Sequence, residues 1–179
     1  MNQALMVVDV QPAYRNWCAP VARQVAQRIN NTRKPVIIFW VGDEITDDTE
    51  AEVREYLREA GAYGPRLEQA TFVEKGYGFF RGWMDSCVRS DIIIQTGKQL
   101  LARNLRSSED LDLADLLGLP ENELPTYDHI HLPQFDDSSL LSFDSLETCG
   151  GGSRACLAEM ELYLQMHDKP YKRLEHLTY

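Results

Sequence analysis

Residues 4–12 read Ala-Leu-Met-Val-Val-Asp-Val-Gln-Pro, and this stretch decides the fold class. Five apolar side chains in succession suit a strand covered on both faces, the usual condition inside a parallel sheet. The run ends at the carboxylate of Asp9, and Gln11-Pro12 closes the extended segment. Farther on, Val21, Ala22, Val25, Ala26 and Ile29 recur at the spacing of one helix face, which predicts a helix over 21–29. Lys34-Pro35 then introduces Val36-Ile37-Ile38-Phe39-Trp40-Val41, a second apolar run closed by Gly42-Asp43-Glu44. Strand, helix and strand in this order imply neighbouring parallel strands joined by a right-handed crossover.

The alternation continues outward. Residues 49–60, rich in Glu, Arg and Leu and followed by Gly61, read as a surface helix, and Thr71-Phe72-Val73-Glu74-Lys75 as a third strand. Ile92-Ile93-Ile94 fits a strand or a helix; a cap at Ser90 or Asp91 with Leu100 and Leu101 beyond favours helix. Leu111, Leu113, Leu116 and Leu117 before Gly118-Leu119-Pro120 predict another short helix, and His129 to Leu132 a short extended segment. Leu146-Glu147-Thr148-Cys149 predicts a strand, Gly150-Gly151-Gly152 a turn, and Ser153 the cap of a helix reaching about His167. There Asp168-Lys169-Pro170 ends it. Tyr171 to Leu177 predicts a last strand. The expected architecture is a three-layer, doubly wound, mainly parallel α/β sheet in one domain spanning 1–179, with no internal repeat or linker.

Composition narrows the function. The 179 residues are 44% hydrophobic and 26% charged, values of an ordinary globular chain, and no apolar run approaches the roughly 20 residues that span a bilayer. A formal charge of −10 excludes binding to nucleic acid through phosphate neutralisation and points to small-molecule partners. Cys18, Cys87, Cys149 and Cys156 are scattered without metal-type pairing, and no export signal precedes the first strand. Free thiols in a cytoplasmic protein are therefore expected.

Ligands of open parallel sheets bind at the carboxyl ends of strands. Three reactive side chains fall at such ends: Asp9 after the first strand, Lys75 after the third, and Cys156 just past the glycine turn on the first turn of the long helix. A free thiol, with a pKa of about 8.5, is acidified by a helix N-terminus and a nearby ammonium. Cys156 has the first by position, and Lys75 can supply the second. Asp9 can accept the thiol proton and deliver it to a leaving amine. Gly151 and Gly152, with the first helical amides, can receive a tetrahedral oxyanion.

Leu5-Met6-Val7-Val8-Asp9-Val10-Gln11, with its D-x-Q signature, resembles the opening strand of the isochorismatase-like cysteine hydrolases. This family includes nicotinamidases and N-carbamoyl amide hydrolases. Gly150 followed six residues later by Cys156, and Lys75 at the end of Phe72-Val73-Glu74-Lys75, are similar to the same family's pattern. The resemblance implies an Asp9–Lys75–Cys156 triad, a cis peptide in the glycine turn, a homo-oligomer of at least two subunits and no cofactor. The chain stops at Tyr179 where relatives usually continue into another helix, which suits a surface covered by a partner subunit. Nicotinamidases follow their second strand with an Asp-x-His metal site, whereas Gly42-Asp43-Glu44-Ile45 has no histidine, so no metal is expected.

The expected function is thiol-mediated hydrolysis of a C–N bond in a small amide or carbamoyl-like substrate through a thioester. The alternatives are an isochorismatase-type vinyl-ether hydrolase using Asp9 as acid, and a non-catalytic binding or regulatory subunit. Gln11, Tyr77, Phe80 and Arg81 are the candidate substrate-binding residues, although core packing is the ordinary fate of at least two rings among Tyr77, Phe79, Phe80 and Trp83. Cys149 reads as core. His129 and His131 share one face of an extended segment but have no evident third metal ligand.

Overall fold

The computed structural model describes residues 2–42, 45–118 and 129–179. Asp43, Glu44, Leu119 and Pro120, on which parts of the sequence reading fall, lie outside the described residues. Strand β1 (Gln3–Val8) leads into helix α1 (Arg15–Asn31), strand β2 (Val36–Trp40), helices α2 (Glu50–Glu59) and α3 (Pro65–Glu68), and strand β3 (Thr71–Glu74). Helices α4 (Arg81–Asp85), α5 (Ser90–Arg103), α6 (Leu113–Leu117) and α7 (Ser138–Leu141) follow. Strand β4 (Ser145–Gly150), helix α8 (Cys156–Met166) and strand β5 (Tyr171–Arg173) complete the order. The protein is an α/β fold built on a five-stranded, all-parallel sheet of order β3-β2-β1-β4-β5, flanked by helices.

Side chains alternate along each strand, so the continuous apolar runs feed two cores. Met6 and Val8 of β1, with Ile37 and Phe39 of β2, pack against Ile93 and Leu100 of α5 and Leu157, Met160 and Leu164 of α8. Leu5 and Val7, with Ile38 and Trp40, face the other way onto Val25 and Ile29 of α1 and Val53 and Leu57 of α2. The helices that precede β3 thus cover one face and the long helices that follow it cover the other. Strand order reverses between β1 and β4, which opens a crevice at the carboxyl ends of these strands.

The isoleucine run at 92–94 is helical within α5, where Ile93 is buried. Thr49 caps α2 in a reciprocal capping box with Glu52, so that helix begins where the sequence places it. Two local readings change. Helix α8 starts at Cys156 after Ala155, not at a Ser153 cap, because the chain takes one further turn after Gly152. Beyond β5, residues 175–177 form a single 3-10 turn, and the segment near His131 contributes only an isolated bridge to Ser107.

Candidate active site

Backbone geometry at the strand ends places the reactive groups. Asp9 follows β1 in a left-handed conformation (φ 51°), a region that Asp tolerates better than most residues because its short polar side chain bonds locally. Its amide donates to the Phe39 carbonyl (2.9 Å), extending the β1–β2 ladder by one step. Lys75 does the same beyond β3, its amide donating to the Trp40 carbonyl (2.8 Å). Both side chains then turn into the crevice, where Lys75 Nζ lies 3.0 Å from Asp9 Oδ2 and each is 2% exposed. Asp9 Oδ1 is buried and has no hydrogen-bond partner among the described residues.

The thiol side of the crevice is built by the turn after β4. Gly150 pairs with Val8 and has φ 73°; a Cβ there would stand 2.5 Å from the Val8 carbonyl, so only glycine lets β4 lie this close to β1 at its end. The chain then swings so that the Gly152 amide points at Cys156 Sγ, 3.1 Å away, at the N-terminus of α8. All described peptide bonds are trans, so the cis peptide expected of this turn is not found.

Asp9, Lys75, Gly152 and Cys156 line a single cavity of about 460 Å³, together with Tyr14, Trp17, Tyr77, Arg81, Arg154, Glu159 and Tyr179. Trp17 and Tyr77, 61% and 59% exposed, stand at its rim. The structure therefore brings together the acid, the cation and the thiol read from sequence.

Electrostatics reverse one expectation. Burial, and then the Asp9 carboxylate, push the Cys156 thiol up to about 12, outweighing Lys75 and the Gly152 amide, which act in the opposite sense. The resting sulfur is a protonated thiol, not a partly ionised one. Lys75 is held above its usual range: burial opposes its charge, but chiefly the Asp9 carboxylate beside it more than offsets that cost. The resting charge pair is thus Asp9–Lys75, with the thiol as its neutral neighbour.

Gln11, Phe80 and Gly151 do not line the cavity, whereas Tyr77 and Arg81 do. Gln11 is fully buried outside the cavity; its side chain donates to the Val41 carbonyl (2.8 Å) and to Asp48 (2.7 Å) and accepts from the Val41 amide (2.9 Å). It fastens the ends of β1 and β2, which explains an amide two residues after Asp9. Phe80 is core, packed edge-on against Phe79, and only its backbone amide reaches the site, donating to Glu159 Oε1 (2.5 Å). Arg81 lines the cavity with its guanidinium on Asp85 (2.8 Å). Gly151 does not line the cavity: its carbonyl accepts from the Tyr179 amide (3.2 Å), and a Cβ there would meet Leu157 Cβ at 2.9 Å. Of the two turn glycines, only Gly152 presents an amide to the sulfur.

Other lining residues do not follow from the sequence, Glu159, Tyr14, Trp17 and Tyr179 among them. Glu159 stands three residues after Cys156 on the same face of α8, and burial raises its carboxyl pKa. A carboxylate one turn after a candidate nucleophile, within an apolar helix, is the signal that marks it. Tyr14 and Trp17 follow Asp9 through a 3-10 turn that cannot be foreseen from periodicity, and Tyr179 arrives from the far end of the chain. His129 and His131 are exposed and apart from the cavity. Among the described residues, no group of three or more His, Cys, Asp or Glu is placed to hold a metal ion, and no helix is long and apolar enough to cross a membrane.

A scan against protein-family models matches no family, and searches of curated proteins and of solved structures find no match.

Proposed function

We propose that this chain is a cysteine-dependent hydrolase of the isochorismatase-like type, cleaving the C–N bond of a small amide or carbamoyl-like compound. One observation carries the reading. Asp9 is clamped through Oδ2 by a buried ammonium while Oδ1 is unpartnered among the described residues, in a cavity it shares with a thiol at a helix N-terminus.

In the proposed reaction, Cys156 Sγ attacks the carbonyl carbon as its proton passes to Asp9 Oδ1. Proton transfer and attack are coupled, because a thiol pushed up to about 12 supplies little free thiolate. The oxyanion forms one bond from the carbon joined to sulfur, within reach of the Gly152 amide that bonds the resting thiol. A single such donor contributes roughly a hundredfold to a thousandfold in rate. Asp9 gives its proton to the leaving nitrogen, the C–N bond breaks and a thioester remains. Water, deprotonated by Asp9, then cleaves the thioester, releasing the acid and restoring the thiol. Lys75 keeps its charge throughout, holding Asp9 in place and balancing negative charge as it develops on sulfur and oxygen. No cofactor enters these steps.

The test is turnover of a panel of small primary amides, ureido and carbamoyl compounds by the wild-type chain and Cys156→Ala, with mass spectrometry of the acid-quenched enzyme. Loss of turnover in the variant and an acyl adduct on Cys156 are expected; full turnover by Cys156→Ala would falsify the nucleophile assignment. The protonated resting thiol favours one second reading, a vinyl-ether hydrolysis in which Asp9 acts as acid and no covalent intermediate forms. Turnover of an enol-pyruvyl ether without any adduct selects it.

A further inference from the structure

Tyr179 touches both halves of the candidate site. Its phenol donates to the Asp9 carbonyl (3.0 Å), its amide donates to the Gly151 carbonyl (3.2 Å), and its own carbonyl accepts from the Ser153 amide (2.7 Å). The same terminal segment adds a fourth tie, since Arg173 Nη1 donates to the Ser153 carbonyl (3.0 Å). Leu174 continues the ladder from β5 by donating to the Thr148 carbonyl (2.9 Å), and Leu177 is buried beneath α1, so the segment is anchored at its start and middle. The tyrosine ring also lines the cavity.

These bonds fall where the backbone is least able to hold itself. Asp9 is in the left-handed region, and so are Gly150 and Gly151. A non-glycine residue held there costs on the order of 1 kcal/mol and persists only where its surroundings fix it. At Asp9 the preceding peptide is fixed by Phe39 and the side chain by Lys75; Tyr179 fixes the following peptide.

We propose that Tyr179 is a positioning residue that braces the acid and the nucleophile turn against each other, its phenol setting the aim of the Asp9 carboxylate at Cys156. Its consequence for turnover rests on the hydrolase reading; its effect on the thiol does not. The Asp9 carboxylate opposes ionisation of Cys156. A carboxylate released from its aim therefore leaves the sulfur more readily ionised beside Lys75.

The experiment is iodoacetamide labelling of the whole chain at pH 8, followed residue by residue by mass spectrometry, and needs no substrate. Tyr179→Phe keeps the ring and loses only the phenol bond. Cys156 in this variant is expected to react about threefold to tenfold faster than in wild type, the effect of roughly half to one pKa unit. Asp9→Asn should accelerate it as well, and adding Tyr179→Phe to Asp9→Asn should change nothing further, since the brace acts through that carboxylate. A wild-type labelling rate in Tyr179→Phe overturns the proposal. So does equal acceleration in the Asp9→Asn background, or acceleration shared by the buried Cys18 and Cys149, which signals general opening of the fold. Where a substrate is turned over, kcat should fall by the same severalfold with KM within about twofold. Failure of Cys156→Ala to lose turnover rejects the hydrolase reading and leaves the labelling result to judge the brace.

Discussion

Two buried carboxylates beside α8, Glu161 within it and Asp9 near its start, each face a cation, and the two pairs are finished differently. In the first, Glu161 accepts at Oε1 from the Thr148 hydroxyl (2.7 Å) and from Arg173 Nε (3.0 Å). Its Oε2 accepts from Arg173 Nε (3.1 Å) and from Arg173 Nη2. Both oxygens are occupied, and the remaining Arg173 nitrogen, Nη1, donates to the Ser153 carbonyl. In the second, Asp9 gives one oxygen to Lys75 and holds the other unpartnered among the described residues, facing a cavity beside a thiol. A buried carboxylate with every lone pair engaged is a fastening, whereas an unsatisfied oxygen in a cleft is a cost that structure alone does not repay. On the proposed reading, the difference separates a strut from a reactive group.

The largest effect that can break this contrast is on turnover. Asp9→Asn should lower hydrolysis by about a thousandfold or more, since it removes the proton acceptor and leaves the thiol unassisted. Steady-state assay on any substrate found for the wild type checks it, and a loss below tenfold would make Asp9 a fastening like Glu161. Next in size is stability. Arg173→Met leaves Glu161 buried without its cation and should cost about 3–5 kcal/mol in urea unfolding. The double change Asp9→Asn with Lys75→Met removes both charges of the other pair and should stay within about 1 kcal/mol of wild type, or gain stability, although it abolishes activity.

The contrast also has a pH signature. Because burial and Asp9 push the Cys156 thiol up to about 12, the thiolate fraction lies far below one half across the neutral range and grows about tenfold for each unit of rising pH. Iodoacetamide labelling should climb at that rate from pH 7 to 10 without levelling. A plateau near pH 7 would show a thiol lowered instead of raised. The smallest expected effect is at Tyr14, whose hydroxyl is buried, faces the cavity residues and has no partner among those described. Tyr14→Phe should reduce kcat/KM by about threefold to tenfold, the loss of one neutral hydrogen bond to substrate, and leave the unfolding midpoint unchanged.

What was legible in the sequence follows from range. The convergence of Asp9, Lys75 and Cys156 was legible because each sits where an apolar run or a glycine turn ends, and parallel sheets collect those ends at one edge. Periodicity likewise predicted β1, β2, β4 and the face of α1. Gln11 and Phe80 were misread because proximity in sequence to a reactive residue does not say which way a side chain turns. Gln11 points back to tie two strands, and Phe80 points into the core while its amide serves Glu159. Tyr179 lies 170 residues from the carbonyl it holds, and no local pattern announces such a contact. The thiol's pKa was misjudged for a related reason. A helix end and a lysine are visible in sequence, but the degree of burial that outweighs them is not.

The left-handed backbone at Asp9 bears on which residues the position can accept. Exchange for glutamate is commonly counted as mild, yet here it fails twice: the longer acid does not share aspartate's ease with φ 51°, and its carboxyl sits one methylene too far to meet Lys75 in the same register. Asparagine fits the chain but not the chemistry, and glutamate has the chemistry but not the fit. The vocabulary of this position is therefore written by the main chain before the proposed reaction has any say in it.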